Sequence, residues 1–279
     1  TIGRRQRQMC IRDSSLVFFM ALAVMQPCTA QSTWQESSTH PSFGLERAVS
    51  FEIDGIVYVC TGRQASTANT AELWSYDITT GNWTPKADFS GGVRRNAFAF
   101  AANGYGYVGA GYDGFVGQTD FWRYDPNSDT WTQLDDFPGG ERSQALGLSN
   151  GDKGYVVAGI YVAPGGQSGE PYYNDLWEFD AITETWTQLS SFDGEGRWRA
   201  YGWVLHDKIY IGGGGRRNVD AYQDLYCYDL TTGMWEEKTA APTAKTLGGF
   251  SFAVQDVGFF IEGAIQTSLI PDSLSLIHI

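Results

Sequence analysis

Short runs of alternating large and small residues fill the chain between about residues 34 and 264. Each run is five to seven residues long and is bounded by Gly, Asn or Asp, as in β-strands joined by tight turns. The composition, with 34 glycines, 10 tryptophans and 15 tyrosines, favours many short strands over helices or a disordered tail. The pattern therefore predicts an all-β protein, and a single domain is the better expectation for a repetitive chain of 279 residues.

The strand pattern repeats with a period near fifty residues, which is typical of propellers and other repeat arrays. In each repeat an aromatic residue is followed by a β-branched residue and, four positions after the aromatic, by glycine. This motif occurs at Tyr58–Gly62, Tyr107–Gly111, Tyr155–Gly159 and Tyr210–Gly214, with a weaker copy at Phe260–Ala264. Next comes a strand of the type Leu-Trp-x-Tyr-Asp, and a tryptophan follows its inner aromatic by seven residues. These tryptophans are Trp83, Trp131, Trp186 and Trp235.

This pattern resembles the kelch repeat, as found in the central domain of galactose oxidase, from about Trp34 to Ala264. The resemblance implies a kelch-type β-propeller over residues 31–273, with four complete four-stranded blades and a partial fifth. Ser32–Glu36 looks like an isolated fourth strand that closes the last blade of a parent protein with six or seven blades. Because a blade cannot bury both faces alone, the aromatic stripe is expected to pack between blades and form the core.

The two ends of the chain are expected to be foreign to the protein. One DNA sequence, read on its two strands, can encode both Leu274–Ile279 and Met9–Asp13, and it is similar to the transposase adapter used in preparing sequencing libraries. Arg4–Gln8 resembles the adapter sequence upstream of it. Residues 1–13 and 274–279 are therefore left out of the fold prediction.

An apolar run at Ser15–Met25 is too short to span a bilayer, and small residues at Cys28 and Ala30 follow it. We interpret residues 14–30 as a signal peptide cleaved after Ala30, with a lipoprotein Cys28 as the weaker alternative. The protein is then secreted, periplasmic or exposed at the surface of a bacterium. Cys60 and Cys227 would remain, and we expect them to be buried free thiols.

The chain carries 32 acidic and 19 basic residues, a net charge of −13. An acidic surface repels nucleic-acid phosphates and anionic membranes, so nucleic-acid binding is not expected. No further membrane span is expected, and the protein is expected to be a monomer.

Arginines recur just before the first strand of each repeat, which is the innermost strand of a propeller blade. They are Arg47, Arg95, Arg142 and Arg199. Placed around the channel mouth, they could hold a carboxylate or sulfate through forked hydrogen bonds. The alternative is that each arginine pairs with an acidic residue of an adjacent blade and supports the fold instead.

The loop between the second and third strands varies in length, whereas the turn between the third and fourth strands does not. In the third repeat the distance from Tyr155 to Trp177 is 22 residues, against 15 or 16 elsewhere, and the added segment Ala163–Tyr173 ends in Tyr172 and Tyr173. Loops carry binding residues more often than strands do. The segment is a candidate binding loop, although a plain surface excursion explains it equally well.

Enzymatic functions need groups that converge. Galactose-oxidase-like copper centres use two histidines, yet without His278 only His40 and His206 remain, and they are expected far apart. Periplasmic kelch mutarotases, which open and close sialic acid rings, are a second resemblance, and Glu141 and Glu195 could act as acid and base beside the arginines. No cofactor or metal is expected. We therefore expect a binding module for a glycan or protein, with a sugar-directed isomerase as the alternative.

Overall fold

Sheets of one antiparallel design follow one another along the chain in the computed structural model. The model describes residues 38–42, 44–64, 68–166, 168–217, 221–239, 250–254, 257–261, 264–265, 268–269 and 274–278. The adapter-like segment 1–13, the signal peptide 14–30 and the closing strand Ser32–Glu36 lie outside these residues and stay predictions.

Four complete blades are present, each with its strands in the order expected for a propeller. Blade 1 contains β1 (Val49–Ile53), β2 (Ile56–Cys60), β3 (Leu73–Asp77) and β4 (Asn82–Lys86). Blade 2 contains β5 (Phe98–Ala102), β6 (Tyr105–Gly109), β7 (Phe121–Asp125) and β8 (Thr130–Leu134). Blade 3 contains β9 (Leu146–Asn150), β10 (Lys153–Val157), a two-stranded ribbon of β11 (Ile160–Val162) and β12 (Ser168–Tyr172), then β13 (Leu176–Asp180) and β14 (Thr185–Leu189). Blade 4 contains β15 (Tyr201–Leu205), β16 (Lys208–Gly212), β17 (Leu225–Asp229) and β18 (Met234–Lys238).

A fifth sheet has three strands rather than the two that the sequence predicted. It contains β19 (Phe250–Val254), β20 (Val257–Ile261) and, after the short pair β21 (Ala264–Ile265) and β22 (Ser268–Leu269), strand β23 (Leu274–His278). Strand β23 pairs antiparallel with β20, so the segment excluded as adapter takes the place of a third strand. Its apolar residues allow it to pair as a strand whatever their origin.

Large side chains on the first strand of one blade pack against the second strand of the next. A Cβ atom added to Gly154 in blade 3 would lie 2.0 Å from the ring of Phe100 in blade 2. The same approach joins Phe51 to Gly106 and Trp203 to Gly258. Between blades 3 and 4 the corresponding residues are Leu148 and Ile209, in one buried cluster. Where the first strand presents a large ring, the second strand of the next blade has glycine. Where it presents the smaller Leu148, the second strand has Ile209 instead, so the space between blades stays densely filled.

Three of the four fourth-strand tryptophans donate a hydrogen bond to the segment before their blade, whereas the buried indole nitrogen of Trp186 has no partner in the described residues. Their rings are half-buried, less than the sequence predicted, because the fourth strand is the outer edge of the blade. The indole N–H of Trp131 donates to the Ala87 carbonyl, just after β4, at 3.0 Å. Trp235 and Trp83 donate in the same way to the carbonyls of Ser190 and Ser38, at 2.8 and 3.1 Å.

In blades 2, 3 and 4 a buried arginine holds the two connections of the blade together. In blade 3, Arg142 is fully buried and binds both carboxylate oxygens of Asp175 at 2.7 and 2.8 Å. It also donates to the Ala158 carbonyl at 3.1 Å, and its guanidinium lies 4.8 Å from the ring of Phe137. Equivalent pairs are Arg94 with Asp120 and Arg197 with Asp224. The prediction that Arg142 lines the channel mouth is therefore wrong, because its guanidinium is buried and paired with Asp175 of its own blade.

The same residue also links neighbouring blades through its backbone. The carbonyl of Arg142 accepts the N–H of Gly111, the glycine that ends the second-strand motif of blade 2, at 2.8 Å. Arg94 and Arg197 repeat this bond with Gly62 and Gly159, both at 2.8 Å. The acidic partner lies in the same blade, not in an adjacent one as the alternative interpretation held, because the aspartate immediately precedes the blade's own third strand.

Blade 1 uses a different set of residues for the same purpose. Leu45 stands where the other blades have arginine, and Glu72 stands where they have aspartate. Glu72 accepts hydrogen bonds from the Ser42 hydroxyl and, at 3.1 Å, from the indole of Trp74. His40 takes the place of Phe137 and packs edge-on against Trp83 at 4.6 Å.

We expect Trp131→Ala to lower the free energy of unfolding by about 3 kcal/mol, the low end of the range for large core aromatics, because the ring is only half-buried. The ring packs against Phe89 and Tyr124 at 4.8 and 5.0 Å. Urea unfolding followed by tryptophan fluorescence would measure the change. Trp131→Phe, which keeps most ring contacts, should lose less than half as much. An unchanged midpoint for Trp131→Ala would show that the stripe does not hold the blades together.

Two arginines in one connection separate a structural role from a surface role. We expect Arg197→Gln to lower the free energy of unfolding by about 3 to 5 kcal/mol, because it leaves the partly buried Asp224 carboxylate without its forked partner. Arg199→Gln, two residues away, should change it by about 1 kcal/mol or less. Equal losses in thermal or urea unfolding would contradict the assignment of the buried arginine as the structural one.

Candidate functional site

A chain of backbone hydrogen bonds runs from blade to blade around the channel mouth. The N–H of Asn96 donates to the carbonyl of Arg47 at 3.0 Å, Gln144 donates to Asn96 at 2.9 Å, and Arg199 donates to Gln144 at 3.2 Å. Each of these four residues lies two positions before the first strand of its blade, and each has a positive φ between 53° and 60°. This position therefore places one residue of each blade at the mouth.

The four arginines predicted for the mouth come from three different positions in the repeat. Arg47 and Arg199 belong to this chain of backbone hydrogen bonds. Arg95 lies one residue before the equivalent position of blade 2, and Arg142, in the buried pair, lies two residues before that of blade 3. The sequence prediction missed Asn96 and Gln144, which lie between Arg47 and Arg199 in this chain of hydrogen bonds. Counting back from the first residue of each first strand would have found them.

Arg47, Arg63, Arg95 and Arg199 form a group that we call the arginine cluster. Burial lowers the pKa of Arg95, and the charges of Arg47 and Arg63 lower it further. Burial also lowers the pKa of Arg199, again with the charge of Arg47 acting in the same direction. The carboxylate of Glu46 pairs with Arg63 and lies 3.8 Å from Nε of Arg47. Four positive charges thus share one nearby carboxylate in a protein that is acidic as a whole.

Aromatic rings support two members of the cluster. The guanidinium of Arg95 lies 4.9 Å from the ring centre of Tyr112, and its Nη1 donates to the side-chain oxygen of Asn69 at 2.9 Å. Arg199 lies 5.4 Å from the ring of Trp198. Within the described part of the chain, Nε of Arg95 is buried and has no hydrogen-bond partner. The cluster therefore has both charge and donor capacity left for an anion.

Tyr173 and Glu141 lie beside the buried arginine of blade 3. The guanidinium of Arg142 is 4.0 Å from the ring centre of Tyr173, whose hydroxyl donates to the backbone carbonyl of Glu141 at 3.2 Å. Burial raises the pKa of Tyr173, and the charge of Arg142 opposes that rise. Tyr173 thus supports the fold at this point, while the half-buried side chain of Glu141 lies next to Gly117.

Glu195 and Tyr172 belong to a second group, on the side of blade 4. Arg216 forms ion pairs with Glu170 at 3.1 Å and Glu195 at 2.5 Å, and its guanidinium lies 5.1 Å from the ring of Tyr172. The hydroxyl of Tyr172 accepts the N–H of Arg217 at 2.8 Å. These contacts tie Glu195 and Tyr172 to Arg216 rather than to the arginine cluster.

The long loop of blade 3 is an ordered ribbon that reaches both neighbouring blades. Strands β11 and β12 pair antiparallel, and the N–H of Gly165 at their tip donates to the carbonyl of Phe115 in blade 2 at 2.8 Å. The same loop of blade 2 donates from Gly117 to the carbonyl of Val162 at 3.4 Å. On the other side, Arg216 and Arg217 of blade 4 hold Tyr172. The ribbon is therefore part of the surface around the mouth.

The histidines and cysteines do not form a metal site in the described residues. His40 packs against tryptophans of blade 1, and His206 lies in the turn between β15 and β16 at the opposite face. Cys60 and Cys227 are buried free thiols. Across the described ranges, no group of three or more His, Cys, Asp or Glu side chains could hold a metal ion. Nor does any helix in those ranges have the length and apolar character needed to cross a membrane.

A groove of about 420 Å³ lies away from the arginine cluster, along strands β2 to β4 of blade 1. It is lined by Ile56, Tyr58, Ser75, Asp77, Thr80, Asn82, Thr84 and Lys86. Asp77 binds the backbone N–H groups of its own turn, which lowers the pKa of its carboxyl. The groove contains none of the predicted site residues, and its one carboxylate is committed to the turn.

No protein-family model matches this chain. No curated protein matches it either. Among solved structures, the chain is similar to the structure of YjhT, with a TM-score of 0.73 and 16% sequence identity, over 90% of this chain and 86% of that one. At this identity the likeness concerns the fold. The predicted all-β propeller, with four complete four-stranded blades and a partial fifth, is confirmed.

Proposed function

We propose that this β-propeller is a secreted or periplasmic kelch-type binding module that holds a carboxylate-bearing glycan at its channel mouth. The observation that carries the proposal is the arginine cluster. The charge of Arg47 acts on both Arg95 and Arg199, although the protein as a whole is acidic. A carboxylate placed among them would relieve their mutual repulsion and accept forked hydrogen bonds.

The rest of the mouth suits a sugar better than a simple anion. Asn96 and Gln144 belong to the same chain of backbone hydrogen bonds as Arg47 and Arg199. The side-chain oxygen of Gln144 accepts from Nε of Arg199, and its amide N–H groups can donate to sugar hydroxyls. Tyr112 and Trp198 add aromatic surface next to the guanidinium groups. A few polar groups among aromatic rings are the usual composition of a small-ligand site.

A sugar-directed isomerase, similar to the kelch mutarotases, is the second candidate. It is favoured by one observation, the carboxylate of Glu46 within the arginine cluster, which could exchange a proton with a bound sugar. Glu195 serves this role less well because it is paired with Arg216. Mutarotation of N-acetylneuraminic acid, followed by NMR with and without the protein, decides between the two candidates. If the protein accelerates mutarotation, the isomerase is the correct function and the binding module is not.

We expect calorimetry to show binding of N-acetylneuraminic or glucuronic acid, and no binding of galactose or N-acetylglucosamine. Arg199→Gln should weaken binding of the acid by about 10- to 100-fold, the loss of one charge-assisted contact. The matched control is Arg123→Gln, because Arg123 lies in strand β7 and pairs with Glu184 in the turn between β13 and β14, on the opposite face.

Added salt should weaken binding of the acid further, since the mouth is open to solvent. Equal affinity for acidic and neutral sugars, or equal losses in the two arginine variants, would overturn the proposal. Capture of a protein by wild type and not by Arg199→Gln, with no binding of any sugar, would indicate a protein ligand.

A further inference from the structure

Phe115 is the most exposed large hydrophobic residue of the described chain, at 77%. It lies in the loop between the second and third strands of blade 2, on the same face as the arginine cluster. Single exposed hydrophobic residues are common and need no explanation by themselves. The contacts around Phe115 distinguish it from an ordinary surface residue.

The backbone of Phe115 is fixed from both sides although its ring is free. The carboxylate of Asp113 accepts the N–H groups of Phe115 and Val116 at 2.6 and 2.8 Å. The carbonyl of Phe115 accepts the N–H of Gly165 from the ribbon of blade 3 at 2.8 Å. A ring presented on a backbone held in this way loses little conformational entropy when a ligand binds to it.

Asn69 connects this loop to the arginine cluster. Its side-chain oxygen accepts the hydrogen bond from Arg95, and its side-chain nitrogen donates to the carbonyls of Tyr112 and Asp113 at 3.4 and 2.8 Å. The guanidinium of Arg95 lies over the ring of Tyr112. One side chain of blade 1, Asn69, thus positions both Arg95 and the loop that contains Phe115.

We infer that Phe115 is a second subsite, an aromatic platform for an uncharged sugar ring joined to the carboxylated one. This inference rests on the proposed function, and it makes the ligand an oligosaccharide rather than a single sugar acid. Two residues separate Tyr112 from Phe115, so their Cα atoms, three steps apart along the chain, are at most about 11 Å from each other. A second sugar ring attached to one bound at Arg95 can therefore reach Phe115.

A sugar ring presents an apolar C–H face as well as hydroxyls, and an aromatic side chain can cover that face. The loop that contains Phe115 has two carboxylates, and Asp120 is paired with Arg94. The other is Asp113, whose Oδ1 is bound by the turn and whose Oδ2 accepts from Gln118 at 3.0 Å. The platform therefore suits a neutral ring, and the arginine cluster suits the charged one.

The test compares sugars that have equal charge and different length. N-acetylneuraminic acid is paired with sialyllactose, and glucuronic acid is paired with its disaccharide with xylose. We expect wild type to bind the longer sugar of each pair about tenfold more tightly, and Phe115→Ala to remove that advantage while leaving the affinity for the single sugar acid unchanged. Phe115→Trp, which keeps an aromatic surface, should retain it.

Ile182→Ala is the matched control, since Ile182 is 63% exposed in a turn of the opposite face. It should change neither affinity. Arg199→Gln should weaken both sugars of a pair equally, which separates the anion site from the platform. If Phe115→Ala binds both sugars as wild type does, the platform is wrong and the proposed function stands. If wild type binds none of the four acids, the proposed function fails, and the platform fails with it.

Discussion

The buried pair of arginine and aspartate is the interaction on which blades 2, 3 and 4 depend. A guanidinium group without water is tolerated only when its donors are satisfied, and here both carboxylate oxygens of an aspartate and neighbouring carbonyls satisfy most of them. The pair joins the segment before the first strand to the segment before the third. Because the arginine carbonyl also accepts a glycine N–H from the preceding blade, one residue sets both its own blade and the position of that blade beside the preceding one.

Other contacts between blades complete this arrangement. Phe100 can lie on the second strand of the next blade only because Gly154 has no side chain there. At the outer edge, the indole of Trp131 reaches back to the carbonyl after β4. The inner contact excludes water by shape, and the outer contact satisfies a polar group that would otherwise be left at a half-buried edge. Phe100 thus holds blade 2 to blade 3, and Trp131 holds blade 2 to the segment that follows blade 1.

The repeat made the strands predictable, because a spacing stated four times leaves little freedom in assigning them. The arginines were harder to assign, since Arg142 and Arg199 both stand shortly before a first strand and differ only by two positions. That difference decides whether the side chain enters the blade or faces the channel. Asn96 and Gln144 were not predicted because the residue type at their position differs from blade to blade, and the search followed the repeated arginines. The ribbon of blade 3 was visible only as added length, since its contacts with Phe115 and Tyr172 join residues far apart in sequence.

The ring of backbone hydrogen bonds at the mouth has a consequence for how such a surface can change during evolution. Its bonds run between main-chain groups of Arg47, Asn96, Gln144 and Arg199, so no side chain is needed to form them. The positive φ at each position disfavours β-branched and bulky residues most strongly, yet arginine, asparagine and glutamine all occupy it here. Chemistry at the mouth can therefore be replaced one blade at a time while the scaffold stays intact. A propeller of this kind can acquire a new ligand without first acquiring a new fold.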